Sequence, residues 1–86
     1  MPLHVSLVSA EEEIWSGEAS LVVAKTLIGE IGFMAGHSPV LAMLAEGQVR
    51  ITQADDTRIV AEAKDGFLSV ENDVVTIVAG RAALVS

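Results

Sequence analysis

Hydrophobic and polar residues alternate along much of this chain, and this period of two constrains the fold more than any other feature. In LHVSLVS, residues 3–9, every second side chain is aliphatic, and segments 47–53, 58–64 and 74–80 repeat the pattern. Successive side chains of a strand point to opposite faces of a sheet, so the pattern predicts half-buried β-strands. The residues predicted to face the core are Leu3, Val5, Leu7, Val49, Ile51, Ile59, Ala61, Ala63, Val75 and Ile77.

Residues that favour turns separate these segments. Short strands at such spacing are typical of an antiparallel β-sandwich or barrel. Segment 38–47, SPVLAMLAEG, is interpreted as extended or irregular structure; a short helix is the alternative, since Ser38 could cap it and Pro39 could occupy its first turn. The predicted turns lie at residues 15–17, 54–56, 64–66 and 71–73.

The length of 86 residues predicts one domain, residues 1–86, with a single modest core. Hydrophobic residues make up 51% of the chain, an excess that fits either a partner-binding face or the ordinary apolar surface of a small domain.

The net charge of −7, with five scattered Lys and Arg residues, argues against nucleic-acid binding. The absence of cysteine excludes a disulfide scaffold and thiolate metal sites. The N-terminal sequence lacks the pattern of a signal peptide. The uninterrupted apolar runs of the whole chain are only a few residues long, too short to span a membrane.

Residues suited to catalysis or metal binding are scarce. His4 and His37 are the only histidines, and two distant histidines make a poor metal site. Ser38, His37 and Asp65 do not form a credible triad, because adjacent Ser and His side chains rarely point at one another. We therefore expect no catalytic residue, no cofactor and no metal ion. His4 is expected to be solvated on its strand, and the acidic run 11–13 to be a solvated turn.

The segment GEIGFMAGHSPVL, residues 29–41, interrupts the strand-like pattern. Its glycines and Pro39 are expected to give a loop that holds its shape. The loop presents two large apolar side chains, Phe33 and Met34, between Glu30 and His37. Either these side chains close one end of a sandwich, or the loop is a rigid binding tip. The glycines do not form a phosphate loop, because the Gly-Lys-Ser/Thr ending is missing.

The same segment resembles the G-E-I-G-I-L-P-G-H-x-P-L-L signature of the epsilon subunit of rotary ATP synthases. Upstream, IWSGEASLVV resembles the start of a strand in that family, an apolar residue followed by x-G-E-A-x-x-V. Downstream, GQVRI and DGFLSVENDVVTIVA resemble G-x-V-R-I and G-G-F-L-x-V-x-x-N-x-V-T-I-L-A. Four motifs in the right order extend the resemblance over residues 3–79.

The resemblance implies an all-β fold, a flattened antiparallel β-sandwich of about ten strands at the foot of the central stalk. It also implies a non-catalytic rotor subunit that binds the gamma subunit and the ring of c subunits and couples ion flow to ATP synthesis. The expected location is the cytoplasmic face of the bacterial membrane, reached only through the complex. The residues expected in the loop that contacts the c-ring and gamma are Gly29, Glu30, Gly32, Phe33, Met34, Gly36 and His37. The apolar residues expected to face gamma are Val40, Leu41, Met43 and Leu44.

Two departures from the family pattern are visible. Met34 and Ala35 replace the Leu and Pro of the signature, which loosens the loop. The familiar subunit continues into a helical hairpin that can slow ATP hydrolysis and, in some members, bind ATP. This sequence has no such segment after GRAALVS, so neither activity is expected of it.

Two alternatives come from other classes of protein. A biotinyl or lipoyl carrier domain is also small, acidic and all-β, and Lys64 in EAKDG would be its modified lysine. The Met-Lys-Met setting of biotin carriers and the acidic residues that precede a lipoyl lysine are both missing. The second alternative is a free-standing adaptor whose apolar face binds an unrelated protein.

Overall fold

The computed structural model describes residues 2–85; Met1 and Ser86, the two ends of the expected domain, lie outside the described residues. The described chain is all β-strand and turn, as the alternation predicts. It contains no helix long and apolar enough to cross a bilayer within residues 2–85. The strands are β1 (Leu3–Ser9), β2 (Glu13–Ala19), β3 (Leu21–Thr26), β4 (Gly29–Phe33), β5 (Val40–Thr52), β6 (Arg58–Glu71) and β7 (Val74–Leu84).

The seven strands are hydrogen-bonded in the order β2-β1-β7-β6-β5-β3-β4. Neighbouring strands are antiparallel except for β1 and β7, which run parallel with His4 opposite Val74 and Ser9 opposite Ala79. The predicted antiparallel architecture is thus correct for all pairs but this one. A parallel pair needs a long connection, and here the rest of the chain supplies it.

Three long strands fold this sheet into two layers. β5, β6 and β7 have 13, 14 and 11 residues. β1 pairs only with residues 74–79 of β7 and β3 mainly with residues 49–52 of β5, and the pairing of β6 with both of its neighbours is interrupted near the middle of β6. Each long strand therefore contributes one segment to each of the two layers. When the two segments of each long strand are regarded as separate strands, the seven continuous strands correspond to the expected number of about ten. Layer 1 contains β2, β1 and segments 74–79, 66–71 and 40–44; layer 2 contains segments 81–84, 58–64 and 47–52 with β3 and β4.

The bends are visible as a change in which residues are buried. In β5, Leu44 is buried before the bend and Val49 after it, so the inward positions change from even to odd numbers. In β6 the change falls at Asp65, whose φ of 60° lies in the left-handed region. Next to it, a Cβ on Gly66 would lie 1.8 Å from the carbonyl oxygen of Val78, so only glycine allows the two strands to approach here. The predicted turn at 64–66 is therefore wrong, because these residues bend β6 without ending it.

The predicted turn at residues 15–17 is also wrong, since these residues lie inside the edge strand β2. The reason is the packing of Trp15, whose side chain is partly buried against the core. A Cβ on Gly17 would lie 3.0 Å from the Trp15 ring, so the glycine leaves room for the indole. An aromatic ring covering a glycine is a known way to stabilise an edge strand.

The other turn predictions are confirmed. Residues 54–56 lie in the connection 53–57 between β5 and β6, and Asn72 and Asp73 form the two-residue connection between β6 and β7. Their φ values of 51° and 62° are those of a type I′ turn, in which both central residues need positive φ. Segment 38–47 is extended, and β5 begins in it at Val40. The helical alternative is therefore excluded.

One core lies between the two layers. All residues predicted to face it are buried except Ile59, which is partly buried and packs against the cluster. Phe33 is the largest of the fully buried side chains. The buried core consists of Leu3, Val5, Leu7, Ala19, Val22, Ala24, Phe33, Leu44, Val49, Ile51, Ala61, Ala63, Leu68, Val70, Val75, Ile77 and Ala79.

Candidate interaction surface

The segment 29–41 is not a single loop in the structure. Its first five residues form β4, and the loop proper is 34–39. β4 pairs with β3, with Val22 opposite Phe33 and Lys25 opposite Glu30. A strand advances about 3.3 Å per residue, so Glu30 lies roughly 10 Å along β4 from Phe33, where the loop starts. The expected pair of Glu30 and His37 is therefore divided between a strand and a loop.

The turn between β3 and β4 projects two apolar side chains into solvent. Leu27 and Ile28 are 71% and 86% exposed. The buried Thr26 fixes the turn: its hydroxyl donates to the carbonyl of Gly29 at 2.8 Å and accepts from the N–H of Ile28 at 3.2 Å. Gly29 takes a φ of 117°, which explains the glycine at this position. The exposed side chains therefore sit on a well-defined turn.

Two hydrogen bonds donated by backbone N–H groups hold the loop 34–39. The N–H of His37 donates to the carbonyl of Met34 at 3.2 Å, which closes a turn in which Gly36 has a φ of 87°. The N–H of Gly36 donates to Oδ1 of Asp73 at 2.7 Å, so the loop is attached to the turn between β6 and β7. These bonds support the expectation of a loop with a defined shape, although Ala35 replaces the family's proline.

His37 packs on the side chain that closes the end of the core. Its ring lies 5.1 Å from the Phe33 ring, centre to centre, at an interplanar angle of 69°. Its Nδ1 is 2.8 Å from the carbonyl oxygen of Ser38, a contact in which Nδ1 carries the proton and donates. Phe33 is fully buried, whereas Met34 is 62% exposed. Of the two apolar residues, Phe33 therefore closes the sandwich and only Met34 is available to a partner.

Glu30 already has a partner within this chain. Its Oε1 accepts a hydrogen bond from the guanidinium of Arg50 at 2.8 Å. The two side chains are 52% and 40% exposed, so water and salt screen the pair and its contribution to stability is at most about 1 kcal/mol. A stronger partner could replace Arg50 at little cost.

The four apolar residues expected to face gamma point to two sides of β5. Leu41 and Met43 are 75% and 58% exposed on the outer face. Val40 packs against the core and Leu44 is only 6% exposed. Leu44, like Phe33, is therefore a core residue and cannot contact a partner, and the alternation of side chains along β5 is the reason.

Leu41 and Met43 belong to a larger apolar area. The backbone N–H of Leu27 donates to the carbonyl of Met43 at 3.1 Å, which places the β3–β4 turn beside β5. A shallow groove of about 270 Å³ lies between this turn and residues 41–43. Phe67, opposite Met43 on β6, is 39% exposed. We call Leu27, Ile28, Leu41, Met43 and Phe67 the exposed apolar patch.

Sequence reasoning missed three members of this patch. Leu27 and Ile28 of the β3–β4 turn lie far in sequence from Phe67, and the two parts share one surface because β3, β5 and β6 are neighbours. One signal in the sequence could have indicated part of this patch: Leu27 and Ile28 occupy a hairpin turn, a position where polar residues are usual.

Lys64 is placed where a carrier lysine would not be. It is half-buried inside β6, directly opposite Arg81, at the bend of the long strands. It lines an open cleft of about 780 Å³, which it shares with Arg81 and with Glu11, Glu12, Glu46 and Glu62. A swinging cofactor needs a lysine at an exposed hairpin tip, so this position argues against the carrier alternative.

The other polar residues singled out in the sequence are solvated. His4 is exposed on β1, as predicted. The acidic run 11–13 is exposed as predicted, with Glu11 and Glu12 in the turn between β1 and β2 and Glu13 at the start of β2. Within residues 2–85, no group of three or more His, Asp or Glu side chains is arranged to hold a metal ion.

A family model decides where this chain belongs. The model described as "ATP synthase, Delta/Epsilon chain, beta-sandwich domain" matches residues 2–85. The chain belongs to this family. The resemblance seen in the four motifs is thereby confirmed, and the two-layered arrangement described above is the β-sandwich of the ATP synthase delta/epsilon chains.

Curated relatives carry the same family name. An ATP synthase epsilon chain from Micrococcus luteus is 48% identical over 82 residues, which are 95% of this chain and 90% of the relative. One from Rhodococcus opacus is 56% identical over 83 residues, 95% of this chain and 68% of the relative. In the Streptomyces coelicolor epsilon chain, 46% identical, the match covers 66% of the relative's length.

Solved structures share the fold at lower sequence identity. A chain of the Euglena gracilis mitochondrial ATP synthase, in a structure of its OSCP, F1 and c-ring, superposes with a TM-score of 0.91 at 24% identity. That match covers 96% of this chain and 53% of the other. A chain from the central stalk and c-ring of the Tetrahymena thermophila mitochondrial enzyme gives a TM-score of 0.78 at 16% identity, covering 95% and 66%.

Proposed function

We propose that this chain is a non-catalytic rotor subunit of an ATP synthase, which binds the gamma subunit and the c-ring and couples ion flow to ATP synthesis. Membership in the delta/epsilon family is the observation that carries the proposal. The relatives named as epsilon chains and the central-stalk structures of similar fold support it. In this role the chain works at the cytoplasmic face of the membrane and reaches it only through the complex.

The exposed apolar patch is the surface that we assign to gamma. It brings together five large apolar side chains, and contiguous exposed apolar surface of this kind is typical of sites that bind other proteins. Three of the five lie on neighbouring strand segments of layer 1, and the other two on the β3–β4 turn. A stiff support of this kind suits torque transmission, because little conformational freedom is lost when the partner binds.

Binding of the gamma subunit from the same genome tests this assignment. We expect the wild-type chain to co-elute with gamma at one-to-one stoichiometry in size-exclusion chromatography. Leu41→Ser with Met43→Ser should weaken binding at least tenfold by calorimetry, since burying such a side chain contributes about 1.5–3 kcal/mol. The matched control is Leu84→Ser with Val85→Ser, which removes apolar side chains that are 49% and 52% exposed outside the patch. Equal weakening by both pairs would exclude the patch as the gamma site.

Glu30 and the loop 34–39 are the parts that we assign to the c-ring. Glu30 is exposed, and among residues 2–85 its carboxylate is held by Arg50 alone, so a basic side chain of the ring can take the place of Arg50. Charged contacts of this kind determine how the two proteins are aligned at their interface more than they raise the binding affinity. His37 and Gly36 shape the loop through Phe33 and Asp73, while Met34 is its exposed apolar side chain.

Attachment to isolated c-ring separates the two possible roles of Glu30. Glu30→Gln removes both the ion pair with Arg50 and any contact with the ring, whereas Arg50→Gln removes the ion pair alone. We expect Glu30→Gln to weaken attachment of the chain–gamma complex to the c-ring several-fold, and Arg50→Gln to leave it unchanged or stronger. Equal effects would mean that the carboxylate acts only within this chain.

A further inference from the structure

Charged side chains are sorted between the two layers. Every Lys and Arg of the chain lies in layer 2, whereas layer 1 holds carboxylates without a basic side chain among its described residues. Glu13, Glu18 and Glu71 lie on the strands of layer 1, and Asp73 lies in its β6–β7 turn. The basic residues are Lys25, Arg50, Arg58, Lys64 and Arg81.

An apolar row crosses the outer face of layer 1. Val8 of β1 lies opposite Val78 of β7, Val78 opposite Phe67 of β6, and Phe67 opposite Met43 of β5. This row crosses the outer face of layer 1 and runs into the exposed apolar patch at Met43. Glu13, which lies opposite Val8, is at the other end of the row.

The next two rows of the outer face are polar. Ser6, Thr76 and Ser69 lie side by side and end at Leu41. Beyond them, Glu18 lies opposite His4, His4 opposite Val74, and Val74 opposite Glu71. The face therefore carries an apolar strip with Glu13 at one end and, two rows away, Glu18 and Glu71, and no Lys or Arg of residues 2–85 lies on it.

We propose that the partner covering the outer face of layer 1 presents apolar side chains with lysines and arginines at the edges of the contact, opposite Glu13, Glu18 and Glu71, and that charge steers this face toward it. The proposal rests on the proposed function, in which the partner is the gamma subunit. A negative face attracts a basic surface over a distance of about a Debye length and raises the association rate. Layer 2 carries its five basic side chains beside the carboxylates of Glu30, Glu62, Asp55 and Asp56, so it attracts the same partner less, and the sorting also favours docking through layer 1.

The association rate constant with purified gamma, measured by stopped flow between 20 mM and 500 mM salt, tests this proposal. Glu18→Gln with Glu71→Gln removes two charges from layer 1. The matched control is Glu46→Gln with Glu62→Gln, which removes two exposed carboxylates at the bend and on layer 2. We expect the layer 1 variant to associate about tenfold more slowly at low salt and at the wild-type rate at high salt. The control should stay within about twofold of wild type.

The possible outcomes separate this proposal from the proposed function. If the wild-type chain binds gamma at a rate that salt does not change, or if both variants slow association equally, charge sorting does not steer docking and this inference is overturned, while the proposed function stands. If the wild-type chain does not bind gamma at any salt concentration, the proposed function fails, and the inference fails with it.

Discussion

Single residues fix the places where this sandwich departs from regular strands. At Gly66 the missing side chain lets β6 approach β7, and at Asp65 a left-handed backbone starts the bend. At Gly36 an N–H bond to Asp73 attaches the loop to layer 1. These are local requirements, so each can be tested by one substitution.

Gly66→Ala should destabilise the protein by about 1–3 kcal/mol, because its Cβ would collide with the backbone of Val78 and the strands would have to separate. Urea unfolding measures the loss. Gly32→Ala is the control: it is also in a strand, but its Cβ would meet nothing closer than 3.8 Å. The control should be neutral or slightly stabilising. A similar loss in both variants would contradict the steric explanation.

Asp55 should make stability depend on pH. The backbone N–H of Thr57, 3.0 Å from Oδ1, holds the pKa of this carboxyl below its usual value. A carboxyl whose pKa is lowered in the folded state stabilises that state above its unfolded pKa of about 4, and this stabilisation is lost as the pH falls through the folded-state pKa. Relative to Asp55→Asn, the wild-type chain should therefore be more stable at pH 6, with the difference shrinking below pH 4. Unfolding curves from pH 2 to pH 7 measure it; a constant difference would contradict the assignment.

At the scale of secondary-structure elements, the short turns determine strand register, and the long strands connect the two layers. The two-residue turn of Asn72 and Asp73 determines the register of β6 and β7, and the N–H bond from Gly36 ties the loop 34–39 to the same turn. The long strands β5, β6 and β7 carry the chain from one layer to the other. The exposed apolar patch lies where a turn of layer 2 meets strands of layer 1.

Asn72→Ala should lower the free energy of unfolding by about 1 kcal/mol, because alanine is unfavourable at a φ of 51°. For a domain of this size the loss corresponds to a melting temperature lower by about 4–8 °C. Asn72→Gly, which accepts positive φ, should stay close to wild type. Thermal unfolding followed by circular dichroism compares the two; equal melting temperatures would show that the backbone conformation is not the determining factor.

For the whole molecule, the shared strands predict one cooperative unit. Both layers contribute side chains to one core, and three strands belong to both, so neither layer can unfold without disrupting the other. The same connection gives the stiffness that the proposed role as a rotor subunit requires.

Ile51→Val tests this cooperativity, since Ile51 is fully buried in layer 2 and the only tryptophan, Trp15, is in layer 1. The substitution should cost about 0.5–1.5 kcal/mol. The urea midpoint should shift equally whether it is followed by Trp15 fluorescence or by far-UV circular dichroism. A fluorescence midpoint that stays at the wild-type value would mean that the layers unfold separately.

The sequence by itself determined which side chains face inward along each strand. That property is local, because successive residues of a strand point to opposite faces, and it correctly placed Leu3, Val5 and Leu7 in the core. The motifs also determined the family, and with it the β-sandwich. The turn at 71–73 was predictable because Asn and Asp tolerate positive φ.

Only the tertiary structure decided where strands bend and which apolar side chains stay exposed. Residues 64–66, predicted as a turn, lie within a strand because the backbone of Val78 approaches Gly66, a contact between residues distant in sequence. Residues 15–17 lie within a strand because Trp15 packs on the core formed by the other strands, with its ring over Gly17. Likewise, Leu44 is buried while Leu27, Ile28 and Phe67 are exposed around Met43. Burial at these positions depends on which strands become neighbours, and that order is fixed by the packing of the whole chain.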